Sequence, residues 1–314
     1  MSTEGHGTKA ILAAFAANLG IAVAKFVGFA FTGSGSMLAE GVHSLADTGN
    51  QGLLLFGGKR SQRSATDDHP FGYGRERYFY AFVVAIVLFT LGAGFAIYDG
   101  VTKWLHPHEL EGLWWAIGIL GVAVVLESFS FRTALRESRG QREPGQSIAQ
   151  FIHRAKAPEI PVVLLEDFAA LCGLSIALVA VILSHATGSP RWDALGTILI
   201  GVLLGLVAAV LAVEMKSLLI GESASDAQQD AIRAALVADD EVLRLIHLRT
   251  EHLGPEELLV GAKLEFRHDL TLPEVADAID RVEVQVRAAV PEARVLYIEP
   301  DISRDRPAAA PVAD

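Results

Sequence analysis

Residues 36–51 read SMLAEGVHSLADTGNQ, an apolar run interrupted by ionisable and amide side chains. At about 100° per residue, Glu40, His43, Ser44, Asp47, Asn50 and Gln51 fall on one face of a helix. His43 and Asp47 stand one turn apart, close enough to bind a single ion. An imidazole nitrogen beside carboxylate oxygens suits Zn2+ and also accommodates Co2+, Mn2+ or Fe2+, whereas Mg2+ would not choose the histidine. Glu40 is either a further ligand or the group that holds His43 in place. A second acidic pair, Glu166 and Asp167, precedes the apolar run of residues 168–174. Adjacent helical residues point about 100° apart, so a regular helix is not expected to aim both carboxylates at one ion. Carboxylates from this segment would nevertheless complete a four-ligand site with His43 and Asp47. The competing reading of the pair is a charge placed at a helix N-terminus, where the macrodipole favours it. Glu127 and Asp193 are read as structural charges.

Metal and protons compete at such a site. Binding requires a neutral imidazole and ionised carboxylates, so protonation expels the metal. A proton gradient can then drive metal out of a cell in exchange for protons.

These groups need elements that hold them in an apolar setting. The chain has 314 residues, 51% hydrophobic, and a mean hydropathy of +0.37, which points to segments facing lipid. Six stretches are long and apolar enough to cross a bilayer: residues 9–31, 36–56, 78–101, 113–131, 162–183 and 195–212. The first is too long for the core of a signal peptide and is read as a retained span. Ionisable groups are expensive inside a bilayer, which makes the Glu40, His43 and Asp47 group of span two a functional feature by default. Lys59, Arg60, Arg63, Arg75 and Arg77 lie between spans two and three, and Arg132, Arg136, Arg139, Arg142, Arg154 and Lys156 between spans four and five. The opposite loops hold little beyond Lys103 and Arg191, so the basic loops and both termini are expected in the cytoplasm. The expected location is the plasma membrane, the inner membrane in a bacterium.

Residues 222–314 hold 20 acidic and 10 basic side chains, nearly all of the chain's net charge of −11. That balance argues against nucleic-acid binding. Hydrophobic spacing predicts helices over 226–237 and 273–290 and strands over 242–251, 258–266 and 294–298, with a turn at Gly254 and Pro255. The expected fold class is therefore an all-α six-helix transmembrane domain, residues 1–218, followed by a small α+β (αββαβ) cytoplasmic domain, residues 219–304. Residues 305–314 are read as a disordered tail. His252 and His268 are expected to face solvent. The one cysteine, Cys172, excludes an intramolecular disulfide framework and any thiolate-rich metal site within one chain. No His-Glu-x-x-His motif or nucleophile and base pair suggests an enzyme. No resident cofactor is expected, only a divalent cation as substrate. The rival class is a membrane-anchored regulatory or scaffold protein whose site no longer moves metal.

Taken together, the six spans, the His-x-x-x-Asp of span two, the segment HPFGYGRERY at 69–78, the segment DALGTILIG at 193–201 and the αββαβ tail resemble the cation diffusion facilitator family. The resemblance implies a Y-shaped homodimer, a transport site between spans two and five, and tails that dimerise and sometimes bind regulatory metal. By position, His43, Asp47 and Asp167 match the family's ligands. The family often has a histidine one turn before that aspartate, where this chain has Val163. Glu166 as its substitute resembles the zinc transporter nine-like branch. Losing an imidazole hardens the site and makes manganese a stronger rival to zinc. Asp67, Asp68 and His69 match a second metal site of some relatives, but Tyr73 stands where those relatives have histidine. In the tail His247 is kept, whereas Lys263, Tyr297 and Glu299 fall on ligand positions of zinc-loaded tails, so a full dinuclear zinc site is not expected there. Salt bridges often lock such dimers, and Lys59 or Arg60 with Asp193 or another carboxylate are candidates.

Overall fold

The computed structural model describes residues 11, 12, 15, 16, 18–24, 26, 27, 30, 35–107, 113–142 and 145–304, with the side chains of 35–43, 113, 115 and 116 outside the description. The chain divides into two compact units, Met1–Leu219 and Ile220–Asp314.

In the first unit, α1 is helical at every described residue from 11 to 30. It is followed by α2 (Gly35–Ser61), α3 (Glu76–Leu105), α4 (Leu113–Gln141), α5 (Glu159–Thr187) and α6 (Arg191–Ile220). A short helix, Ile148–Arg154, sits between α4 and α5 and opens with a capping box from Ser147 and Gln150. Among the described residues, four helices are long and apolar enough to cross a membrane: those of spans three, four, five and six. The 27 residues of α2 reach about 40 Å at 1.5 Å per residue, and the side chains of its first nine residues lie outside the described residues on which that count rests. The helices outrun the predicted spans because charged residues continue a helix beyond the point where they end a hydrophobic run. The clearest case is α4, which carries on ten residues past Phe131.

Two features of the packing position the site. Span three relaxes into a π-helical segment over Leu88–Gly94, so its register shifts midway. Spans three and six approach backbone to backbone at two glycines. A Cβ on Gly201 would lie 2.6 Å from Ile97 Cγ1, and one on Gly100 would lie 2.7 Å from Ile198 Cγ1. Small residues at helix contacts serve this purpose in membranes, where burial of apolar surface drives nothing. The core joins Tyr78, Ala81 and Val84 of α3, Ile160 and Val163 of α5, and Leu211 and Met215 of α6.

Ion pairs close the helix ends. Arg60 meets Glu76, and Arg77 meets Glu159 at the start of α5. Lys103 meets Asp99 at 2.7 Å and Asp193 at 3.7 Å. Arg60 and Asp193, weighed as partners across a dimer, thus sit at the two far ends of α3 and are each engaged within the chain. The outward face of α4 exposes Val122, Val125 and Phe129, and one turn later Arg132, Arg136 and Arg139.

The second unit has the order αββαβ: α7 (Asp226–Leu236), β1 (Val242–Gly254), β2 (Glu257–Phe266), α8 (Leu272–Ala289) and β3 (Val295–Pro300). The sheet order is β1-β2-β3, antiparallel between β1 and β2 and parallel between β2 and β3. Capping boxes start both helices, from Ser225 with Gln228 and from Thr271 with Glu274. Ile232, Leu258, Val260, Leu264, Val282 and Val286 form the core. One expectation fails here: His252 is buried, at 2% exposure. β1 continues past residue 251 and pairs His252 with buried Leu258, and the His252 N–H donates to the Glu222 carbonyl. His268 is exposed and pairs with Glu265.

Candidate metal-transport site

The polar face of α2 is buried as its spacing predicts. Ser44, Thr48, Asn50 and Gln51 are buried, whereas Leu45 is exposed. Glu40 and His43 belong to the same helix, and their side chains lie outside the described residues. Asp47 reaches a cavity of about 40 Å³ that Asn18, Gln51, Glu127, Glu166 and Asp167 also line. Leu88 from the π segment and Leu204 of α6 complete the wall, so α1 through α6 each contribute.

The position of Glu166 and Asp167 decides between the two readings of that pair. They lie seven and eight residues into α5, which begins at Glu159. Dipole stabilisation fades within the first turn, so the helix terminus does not explain them. Their surroundings also differ. Glu166 accepts hydrogen bonds on both carboxylate oxygens, from Asn50 Nδ2 at 3.1 Å and from Gln51 Nε2 at 3.0 Å. Asp167 is 2% exposed and its Oδ2 has no hydrogen-bond partner. A buried carboxylate oxygen without a donor is expensive unless a cation completes it.

Two residues that line this site, Glu127 and Asn18, lie outside the metal candidates and the polar face of α2 that the sequence marks. Glu127, 7% exposed, was read as a structural charge, although an ionisable residue amid apolar neighbours was the available signal. Asn18 is a buried amide whose partner comes from another helix and no local pattern announces it, whereas Gln51 lies on the polar face of α2 that helical spacing marks. Among the described residues, no group of three or more His, Cys, Asp or Glu is gathered tightly enough to hold a metal ion. Near the second metal site that the resemblance suggested, Asp67, Asp68 and His69 are exposed, His69 stacks on Tyr73 at 4.6 Å, and Arg63 lies over the other aromatic partner, Tyr73, at 4.5 Å. In the tail, the Lys263 ammonium donates to Glu299 at 2.8 Å and to Asp301 at 3.4 Å, and His247 Nε2 accepts from Arg249.

Residues 11–220 match the family model described as cation efflux transmembrane domain. The chain is 35% identical over 243 residues to the human proton-coupled zinc antiporter SLC30A9, mitochondrial, covering 77% of this chain and 43% of that protein. It is 30% identical over 270 residues to metal tolerance protein C4 of Arabidopsis thaliana, covering 86% of this chain and 59% of that protein. Magnetosome protein MamB of Paramagnetospirillum magneticum is 24% identical over 292 residues, 91% of this chain and 92% of that protein. The chain therefore spans less than half the length of the human relative and about three fifths of the plant one. A transmembrane match covering most of the chain, together with these relatives, establishes that it belongs to the cation diffusion facilitator family of cation transporters, which are not enzymes, in the zinc transporter nine-like branch.

Proposed function

We propose that this protein exports divalent transition-metal ions, Zn2+ first and Mn2+, Co2+ or Fe2+ as rivals, from the cytoplasm in exchange for protons. The observation that carries the reading is the cavity walled by α1 through α6 that Asp47 and Asp167 both line, Asp167 with a buried Oδ2 that has no hydrogen-bond partner. His43, one turn before Asp47, adds an imidazole, and with Asp167 these residues form the transport site. Glu40 supports His43 or joins it. The human relative is a proton-coupled zinc antiporter, which supports both the metal and the coupling ion.

On this reading all of α1 to α6 span the bilayer, with the basic loops, both termini and the acidic tail on the cytoplasmic side, as the Lys and Arg distribution favours. The membrane is the plasma membrane, the inner membrane in a bacterium. The tail unit, residues 219–304, serves as the dimerisation domain of a homodimer. Retention of buried carboxylates in an apolar setting speaks against an inert scaffold, which has no use for their desolvation cost.

The test is metal uptake into proteoliposomes with an imposed pH gradient, comparing Zn2+, Mn2+, Co2+ and Fe2+. Wild-type flux is expected to follow the gradient, and Asp47→Ala to abolish it. Flux indifferent to the gradient defeats proton exchange, and flux through Asp47→Ala defeats the site.

A further inference from the structure

Glu166 differs from its neighbour Asp167 in being bonded on both oxygens. Asn50 and Gln51, neighbours on α2, each donate to a different oxygen of its carboxylate. Gln51 uses its own Oε1 to accept from Asn18 Nδ2 of α1 at 3.3 Å. Asn18, Asn50 and Gln51 are all at least nine-tenths buried. The chain of bonds therefore ties spans one, two and five together where water cannot compete for the donors.

We propose that Glu166 is a positioning residue for transport and not a metal ligand. The paired amides of Asn50 and Gln51 clamp its carboxylate and so fix the rotation of α5 against α2. That rotation sets Asp167, about 100° further round the helix, against the cavity that Asp47 also lines, and its Oδ2 is buried without a donor. A metal engaging Glu166 would have to share or displace both amide donors, whereas at Asp167 it meets an oxygen with no donor. The adjacent carboxylates thereby divide the work: one holds the helices, the other holds the ion. This assignment rests on the cavity being the transport site.

A conservative amide separates the two roles. In Glu166→Gln the new side chain can accept from Gln51 and donate to Asn50 Oδ1, an atom that is buried without a partner in the wild type. The clamp survives and the charge does not. The experiment measures Zn2+ KM and maximal flux of the full chain in proteoliposomes. KM for Glu166→Gln is expected within roughly threefold of wild type, the scatter of a mild change. Glu166→Leu and Asn50→Leu are each expected to raise KM roughly tenfold while affecting maximal flux less. Asn50→Leu is expected to add little on top of Glu166→Leu, because both cut the same connection. Asp167→Asn and Asp47→Ala serve as ligand controls that lose flux. Loss in Glu166→Gln equal to that in Asp167→Asn overturns the proposal even if Glu166→Leu proves unstable. An unchanged KM in Asn50→Leu overturns it as well. Wild-type flux in both ligand controls overturns the transport-site reading itself, and the clamp's part in transport with it.

Discussion

At the scale of single residues, the cavity gathers Asp47, Glu127, Glu166 and Asp167 within apolar helices. Glu166 is taken up by its two amide donors, so the pull on a divalent cation falls to the carboxylates that line the cavity outside that clamp. Glu127→Gln, which keeps shape and removes charge, is expected to weaken Zn2+ affinity roughly tenfold, as one charge acting through a partly polar interior does. Isothermal titration of the detergent-purified protein measures it, and unchanged affinity shows that Glu127 is screened from the ion. How much of this was legible varied with the residue. Asp47 stood out because it repeats a polar face at helical spacing beside His43. Glu127 has only Ser130 beside it at that spacing, so its sequence neighbourhood does not distinguish a cavity-lining acid from a structural one. The division between Glu166 and Asp167 was hidden for another reason. It depends on the side chains that α2 presents to α5, and pairings between helices leave no trace in local periodicity.

At the scale of elements, the contact between α3 and α6 is set by backbone approach. Gly201 leaves no room for a side chain against Ile97, whereas a Cβ on Gly205 would rest 3.6 Å from Ala93 Cβ, an ordinary contact. Gly201→Val is therefore expected to lower the thermal unfolding temperature strongly, at the upper end of the roughly 1–3 kcal/mol typical of overpacking, and Gly205→Ala to have little effect. Thermal melts of the two purified variants compare them directly, and equal behaviour refutes the close approach. The helices themselves were legible, since runs of about 20 apolar residues have few other structural solutions. Their ends were not, because hydropathy reports where lipid stops and helices continue past it. The π segment at Leu88–Gly94 was invisible as well, since it changes hydrogen-bond register without changing composition.

At the scale of the whole molecule, the two units answer to different solvents. In the tail, Asp239 accepts from Arg281 at 2.7 Å and from the Glu241 N–H at 3.0 Å, joining the turn before β1 to α8. The Arg281 guanidinium, aided by that N–H, holds the Asp239 carboxyl below its ordinary value despite burial. A depressed folded-state pKa stabilises above the unfolded value near 3.9 and loses that contribution as pH falls through the folded value. Asp239→Asn is thus expected to destabilise the tail at pH 7 and to differ little from wild type below roughly pH 3. Urea unfolding of the full chain followed by tail signals checks this, and a difference that persists at low pH assigns the effect to packing instead. The αββαβ order was legible because alternation and helical spacing alternate cleanly there. His252 escaped because the strand was expected to stop at residue 251, whereas β1 continues and pairs His252 with buried Leu258, in phase with Leu248 and Thr250.

The outward face of α4 passes from Phe129 to Arg132 within one turn. Sliding that helix outward by a turn would draw a guanidinium into hydrocarbon at roughly 2.5–3.5 kcal/mol on the insertion scale, with Arg136 and Arg139 following. The protein is thereby anchored at a fixed height, like a hull with its waterline marked. On the export reading, a carrier held at that height exposes its cavity to either side by tilting helices past one another.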